Sequence, residues 1–360
     1  EGVLPMWVAD MDFRAAPCIV EALQRRVSHG VFGYTRVPAA YYDAVTDWFA
    51  RRHGWRIDPH WILYTTGVVP ALSAVIKALT VPGDRVIVQT PAYNCFYSSI
   101  RNNGCELLAN RLRYEGGAYT IDFDDLETKA SDPKAKLLLL CNPHNPLGIV
   151  WTPEELRRMA ELCMKHHVVL FSDEIHSDLI FHGKKHTPVA TLSPEIARYV
   201  VTGISGTKTF NLAGLQASTV VFPDRHTKKV FDHYWHCMDI HRNNAFSLTA
   251  MEAAFTQGEE WLEQLLPYLA ANFDFVVDFC RTRIPKIRTY VSIDGGMTDN
   301  PRYALYKSSY LAVIADKAGQ PAVEKVTIAG KCCESGDLIQ EDAMIQEAAP
   351  GDTLAVFSTG

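Results

Sequence analysis

The sequence predicts an α/β protein: a large domain built on a mostly parallel sheet covered by helices, followed by a β-rich C-terminal segment. Three observations lead there. Short apolar runs, "DRVIVQT", "KLLLLCN", "HVVLFSDE" and "ARYVVTGI", are too short and too β-branched to be helices and read as buried strands. They alternate with helical stretches from about Trp61 to Val221, which implies parallel strands with helices on both faces and ligands at the strands' carboxyl ends. From about Arg288 the period changes: "TYVSID", "KVTIAG" and "TLAVFS" alternate, Gly295, Gly296 and Gly330 break them, and no amphipathic helix lies between.

Taken in order, Pro17 to His29 reads as a helix with proline in its first turn, Ile19, Val20, Leu23 and Val27 on one face, and Gly30 as its stop. A helix around Ala71 to Leu79 follows the Gly67-Val68-Val69 turn. In "TPEELRRMAELCMKHH", Thr152 caps, Pro153 takes the first helical position and Glu155 completes a capping box. A helical repeat through Phe273, Val276, Val277 and Phe279 ends the large region, giving an expected division into residues 1–285 and 286–360.

With 360 residues, 48% hydrophobic and 21% charged, the chain has the apolar mass for a large core and two domains. A net charge of −6 without a basic stripe argues against nucleic acid as a partner. No run of about 18 apolar residues predicts a membrane span, and the opening Glu1-Gly2-Val3-Leu4 carries no signal-peptide pattern. The nine cysteines, scattered apart from Cys332-Cys333, have neither zinc spacing nor a disulfide-scaffold pattern. That favours reduced thiols in a cytoplasmic enzyme without a metal.

Polar motifs follow the strand ends. "KLLLLCNPHNPLG" runs from a strand into two Asn-Pro pairs and Gly148, a non-helical turn that by itself reads as loop punctuation. Asp173, Glu174 and His176 stand at the end of an otherwise buried strand, where a carboxylate needs a partner; an ion pair or helix cap would satisfy it as well as a functional site. Lys208 follows a strand end among Ser205, Gly206, Thr207 and Gly214. Most lysines are solvated surface charges. One confined among small and hydroxyl residues suits a Schiff base with an aldehyde cofactor. Together the segments supply an amine, a carboxylate for a ring nitrogen, donors for a ring oxygen and a phosphate cup, the set pyridoxal phosphate requires.

In the order of these motifs the chain resembles the fold-type I pyridoxal-phosphate enzymes, the aminotransferase class I and II superfamily, and within it the cystathionine β-lyase-like C–S lyases. The resemblance covers residues 1 to about 285 through "LPMWVADMDF" (4–13), "FGYT" (32–35), "YTTGVVPAL" (64–72), "PAYNCFY" (91–97), "CNPHNPLG" (141–148), "SDEIHSDL" (172–179) and "TKTFNLAGLQ" (207–216). It implies that Lys208 holds the cofactor and shuttles the substrate's α-proton, and that Asp173 pairs with the ring nitrogen. Asn145 and His176 would hydrogen-bond the ring oxygen, many relatives having tyrosine at the latter position, and Tyr93 would stack on the ring. The Gly67-Val68-Val69 turn would offer amides and a helix N-terminus to the phosphate, Ser205 and Thr207 their hydroxyls. Tyr34 would reach the phosphate of a second subunit, which implies a homodimer.

Relatives continue into a small α/β domain carrying an arginine for the substrate's α-carboxylate. From about Arg288 this chain resembles instead the C-terminal β-domain of diaminopimelate decarboxylase, in "RTYVSIDGGMTDNPRYALY", "VTIAGKCCESGD" and "GDTLAVFSTG". There Arg302 and Tyr306 match substrate-contacting positions, and Cys333 and Glu334 a pair lent to a neighbouring subunit. Without the decarboxylase's barrel these four are expected to have no site to serve, and Cys333 equally fits an ordinary buried thiol. The expected function is α,β-elimination on a small cystathionine- or cysteine-type amino acid, giving a thiol, pyruvate and ammonia. An aminotransferase, or a cofactor-binding chain that is catalytically impaired or regulatory, are the alternatives.

Overall fold

The computed structural model of the chain describes residues 10–115, 117–240, 242–283, 289–293, 310–330 and 338–357. It forms two compact units, Glu1–Ala271 and Asn272–Gly360, divided within a long helix.

The first unit opens with α1 (Pro17–His29) and α2 (Ala39–His53), each stopped by a left-handed glycine, Gly30 and Gly54. There follow β1 (Ile62–Thr65), α3 (Val68–Leu79), β2 (Arg85–Thr90), α4 (Asn94–Asn102) and β3 (Glu106–Arg111). After the hairpin of β4 (Arg113–Glu115) and β5 (Ala118–Thr120) come α5 (Phe123–Ala130), β6 (Ala135–Cys141), α6 (Pro153–Lys165) and β7 (Val169–Asp173). The short α7 (Pro194–Ala197), β8 (Val200–Ile204), β9 (Ser218–Val221), α8 (Arg225–Cys237), α9 (Ala245–Gln257) and α10 (Glu259–Arg283) complete the series. The expected capping box is present on α6: Glu155 N donates to Thr152 Oγ1 at 3.2 Å, and Thr152 N to the Glu155 carboxylate at 2.8 Å.

Seven strands form one sheet in the order β1-β9-β8-β7-β6-β2-β3. All neighbouring pairs from β8 to β3 are parallel, and β9 runs antiparallel to both β8 and β1. The carboxyl ends of β1, β2, β6, β7 and β8 therefore share one edge. Consecutive strand residues serve opposite faces, as pleating demands. Ile87, Leu138, Leu140 and Leu170 pack with α1, α2, α6 and α9, while Val86, Val88, Leu137, Leu139 and Phe171 pack with α3, α4 and α8. That double cover is why the strands read as continuous apolar runs.

The anticipated α1 face is corrected in part. Ile19 and Ala22 are buried and Leu23 packs against the core, but Val20 is 39% and Val27 56% exposed. A helix buries a stripe about 100° wide, and the residues that fill it here include a small alanine that periodicity of large apolar residues does not reveal.

The second unit is strand-rich, as the change of period predicts. β10 (Thr289–Ser292) lies parallel to β12 (Glu324–Ala329), which pairs antiparallel with β13 (Leu338–Ile345). β11 (Leu311–Ile314) and β14 (Leu354–Phe357) form an antiparallel pair. Ala312, Ile314, Val326, Ile328, Ile339, Ala343 and Ile345 build its core. Among the described residues no α-helix follows Arg283. The region through Phe273, Val276 and Phe279 is helical as expected, yet these side chains are exposed.

Candidate active site

Parallel strands deliver the site residues to one edge. Asp173 ends β7 and is in register with Cys141, the last residue of β6, and with Gly203 of β8. Asn145 lies four residues beyond β6, Lys208 four beyond β8, Tyr93 three beyond β2, and Gly67 two beyond β1. Gly203 has no room for a side chain, since a Cβ there would meet the Phe171 ring at 3.0 Å and Val68 at 3.2 Å. Close approach of β8 to α3 thus brings the strand that leads to Lys208 against the helix that opens at Gly67.

Asp173 is buried, and its Oδ1 accepts from Ile175 N at 3.2 Å. Burial, reinforced by the neighbouring Glu174, pushes its carboxyl up to about 7 despite that hydrogen bond. A carboxylate so placed calls for a cation. Burial, and then the charge of Lys208, lowers His176 to about 4, so its ring is neutral near pH 7 and one nitrogen is free to donate or accept. The same interaction puts His176 and Lys208 in one electrostatic neighbourhood. Burial, the hydrogen bond with Cys95 and the charge of Asp173 hold the Tyr93 phenol above its ordinary range, which keeps it protonated. Asn145 N donates to Cys141 Sγ at 3.3 Å, fixing the turn that presents its half-buried amide.

The phosphate cup has the right donors. Helix α3 begins after Gly67, has no side-chain cap and carries no acidic residue in its first turn, so its amides are open to an anion. Gly67 sits at φ +157°, and a Cβ there would press on Pro70 Cδ at 3.3 Å. Val68 is buried beneath this turn and Val69 half-buried. Ser205 Oγ donates to Ala217 O at 2.7 Å and accepts from Thr207 N at 3.0 Å. Its single proton being used, the 2.8 Å contact with Thr207 is donated by Thr207. In this arrangement the Ser205 proton is held by Ala217 O and the Thr207 proton by Ser205, so donating to a phosphate requires either hydroxyl to rotate. The amine, the cation-seeking buried carboxylate, the neutral imidazole and the uncapped helix together fit pyridoxal phosphate.

Tyr34 is 92% exposed with the Arg242 guanidinium 5.2 Å from its ring centre. Arg302, Tyr306, Cys333 and Glu334 lie outside the described residues. Among the described residues no cluster of His, Cys, Asp or Glu is arranged to hold a metal, and no helix is long and apolar enough to cross a membrane. The sequence reading missed Asp178, which lies within the quoted "SDEIHSDL" motif and is 5% exposed. A carboxylate flanked by "LIF" was the available signal.

The comparisons with known proteins agree with this fold. Residues 2–280 match the aminotransferase class I and II family, and residues 275–360 the C-terminal sheet domain of pyridoxal-dependent decarboxylases. Over 285 residues, 79% of this chain and 74% of the relative, the chain is 48% identical to cystathionine beta-lyase PatB of Bacillus subtilis. A PLP-bound structure from Clostridium difficile 630 superposes with a TM-score of 0.77 at 46% identity, over 78% of this chain and 73% of that one. The PLP-bound C–S lyase from Staphylococcus hominis gives 0.74 at 32% identity, over 78% and 72%. With the match spanning most of its length, the chain belongs to the aminotransferase class I and II family.

Proposed function

We propose that the chain is a pyridoxal-phosphate-dependent C–S lyase that cleaves cystathionine- or cysteine-type amino acids by α,β-elimination to a thiol, pyruvate and ammonia. The observation that carries the chemistry is the pairing, on adjacent parallel strands, of Lys208 beyond β8 with the buried Asp173 ending β7. The choice of elimination is supported by the relatives, among them cystathionine beta-lyase PatB and the Staphylococcus hominis C–S lyase. When bound, the cofactor supplies the electron sink for the carbanion left by loss of the substrate's α-proton.

The chain's own residues supply the rest. Lys208 accepts the α-proton and is placed to pass it to the departing thiolate. Asp173, ionised once it faces a cation, holds the proton on the ring nitrogen. His176 and the Asn145 amide hydrogen-bond the ring oxygen, and Tyr93 presents an aromatic face. The Gly67-Val68-Val69 turn, with Thr207 and Ser205 after reorientation, binds the phosphate.

Tyr34 reaches a partner's site in a homodimer, a reading supported by exposed Val20, Val27, Val31 and Phe32 near it in sequence. The free buried thiols of Cys105, Cys141 and Cys163 fit a cytoplasmic setting. The C-terminal unit is read as related to the β-domain of diaminopimelate decarboxylase, joined to the lyase-like region near residue 286. Arg302, Tyr306, Cys333 and Glu334 remain candidate substrate contacts by that resemblance alone.

Incubating the purified chain with pyridoxal phosphate, reducing with borohydride and mapping peptides tests the site: the adduct is expected on Lys208, and an adduct on another lysine refutes the assignment. Pyruvate release from cystathionine tests elimination. An aminotransferase shares proton removal but yields a keto acid only with an amino acceptor present, and a regulatory chain binds cofactor and releases nothing.

A further inference from the structure

A single buried carboxylate ties the Lys208 turn to the body of the large unit. Asp178, whose side chain is 2% exposed, accepts from Trp48 Nε1 at 3.2 Å, lies 2.8 Å from His53 Nε2, and accepts from Thr209 Oγ1 at 3.1 Å. Arg52 Nε stands 3.7 Å away, inside ion-pair range, and its guanidinium lies 5.1 Å from the Trp48 ring centre. Trp48, Arg52 and His53 all belong to α2, whereas Thr209 follows Lys208 directly in the chain. The carboxylate therefore bridges a helix and the lysine-bearing turn across 130 and 31 residues of sequence.

The turn itself is held from several sides. Thr209 is fully buried, and its hydroxyl donates to Asp178. Phe210 N donates to Gly206 O at 2.9 Å and Leu212 N to Thr207 O at 2.8 Å, so Lys208 rides on a closed backbone turn. The Phe210 ring packs against Trp48, with centroids 5.7 Å apart, and against Phe255. Asn211 Nδ2 donates to the carbonyls of Met11 at 2.7 Å and Phe13 at 3.1 Å. Packing and backbone bonds limit how far the turn can shift, and the Thr209 hydroxyl adds a side-chain bond to a carboxylate directly beside Lys208. A hydroxyl bonded to a carboxylate is a strong and directional restraint in a dry site.

We propose that Asp178 is a positioning residue for Lys208, acting through the Thr209 hydroxyl, so that the amine is presented at the angle needed for reaction with the cofactor's aldehyde. The assignment rests on Lys208 being the residue that holds the cofactor. It touches neither substrate nor cofactor, and its effect is read in the reactivity of the amine and not in the strength of phosphate binding.

The test compares Thr209→Val, which keeps the shape and removes the hydroxyl, with Thr209→Ser, which restores it, and with Asp178→Asn. Each full-length protein, freed of cofactor, is mixed with pyridoxal phosphate, sampled over time, reduced with borohydride and mapped for adduct on Lys208. Thr209→Val is expected to slow capture at Lys208 by about tenfold or more, as small misplacements of a reacting group do, while phosphate-dependent retention of the borohydride-reduced, non-reactive cofactor stays within about twofold. Thr209→Ser is expected to recover most of the rate, and folded Asp178→Asn to resemble Thr209→Val. Capture at the wild-type rate in Thr209→Val overturns the proposal, as does equal loss of capture and retention, which is the mark of a structural role. Should Asp178→Asn not fold, the two Thr209 variants still decide. An adduct on a different lysine in the wild type would refute the underlying site instead.

Discussion

Asp173 shows how one residue's environment couples stability to function. Its carboxyl is raised from an ordinary value of 3.8 to about 7, chiefly by burial. A carboxyl with a higher pKa folded than unfolded binds more protons in the folded state. Its contribution is favourable below about 3.8 and is lost as pH rises through about 7. The full span corresponds to an upper bound on the order of 4 kcal/mol. Protein prepared without cofactor should therefore be more stable as Asp173→Asn than as wild type at pH 8, with the gap closing towards pH 4; thermal melts at the two pH values measure it. A constant gap at both would show that ionisation at Asp173 is not what the substitution relieves. With cofactor present the order should reverse in function: Asp173→Asn binds pyridoxal phosphate but turns over poorly, because an unprotonated ring nitrogen is a weak electron acceptor. His176 works with the opposite sign, since its lowered value withdraws stability as pH falls from about 6.5 to about 4.

Among the elements, helix starts do most to place chemistry. The capping box of α6 pairs Thr152 with Glu155 reciprocally, and Thr152→Ala should cost about 1 kcal/mol, read as a shift in urea midpoint without change in slope. Activity should be unaffected, because α6 does not carry a site residue. Helix α3 is the contrasting case. Its uncapped start after Gly67 leaves amides for an anion, and the tight approach to Pro70 leaves little room for a side chain. Gly67→Val should weaken cofactor binding by roughly tenfold or more through the backbone strain and lost phosphate contacts it introduces, measured by cofactor titration. Unchanged affinity would move the phosphate site away from this helix.

Across the whole molecule, the second unit raises the sharpest question about activity. Its described residues build strands and their own core in place of the helix-flanked small domain that the family resemblance implies. The carboxylate-binding arginine of such a domain would contribute a charge-assisted contact of roughly 1.5 to 3 kcal/mol. The chain should therefore bind cofactor yet show kcat/KM on cystathionine about ten- to a hundredfold below that of a relative with the usual domain. Equal kinetics would mean that another group takes the carboxylate. The dimer has its own test. If Tyr34 serves the partner's phosphate, mixing inactive Tyr34→Ala with inactive Lys208→Ala should regain partial activity, since one of the two sites in a mixed dimer would be intact. No recovery on mixing would place Tyr34 outside the site.

What the sequence alone determined were the local and ordered features. Strand runs such as "KLLLLC" and "VLFSD", the capping box at Thr152, and Asp173 and Lys208 at strand ends were legible because period, caps and glycines are written within a few neighbouring residues. The change of period near Arg288 was legible for the same reason, and β10, β12 and β14 lie where it predicts. The tertiary structure decided everything that depends on which distant groups meet. It turned Val20 and Val27 outward and buried Ala22, committed the Ser205 proton to Ala217, and made Asp178 the junction of Trp48, His53 and Thr209. A carboxylate in a sequence carries no mark of its partner; burial and hydrogen bonds across more than a hundred residues assign one, and they exist only once the chain has folded.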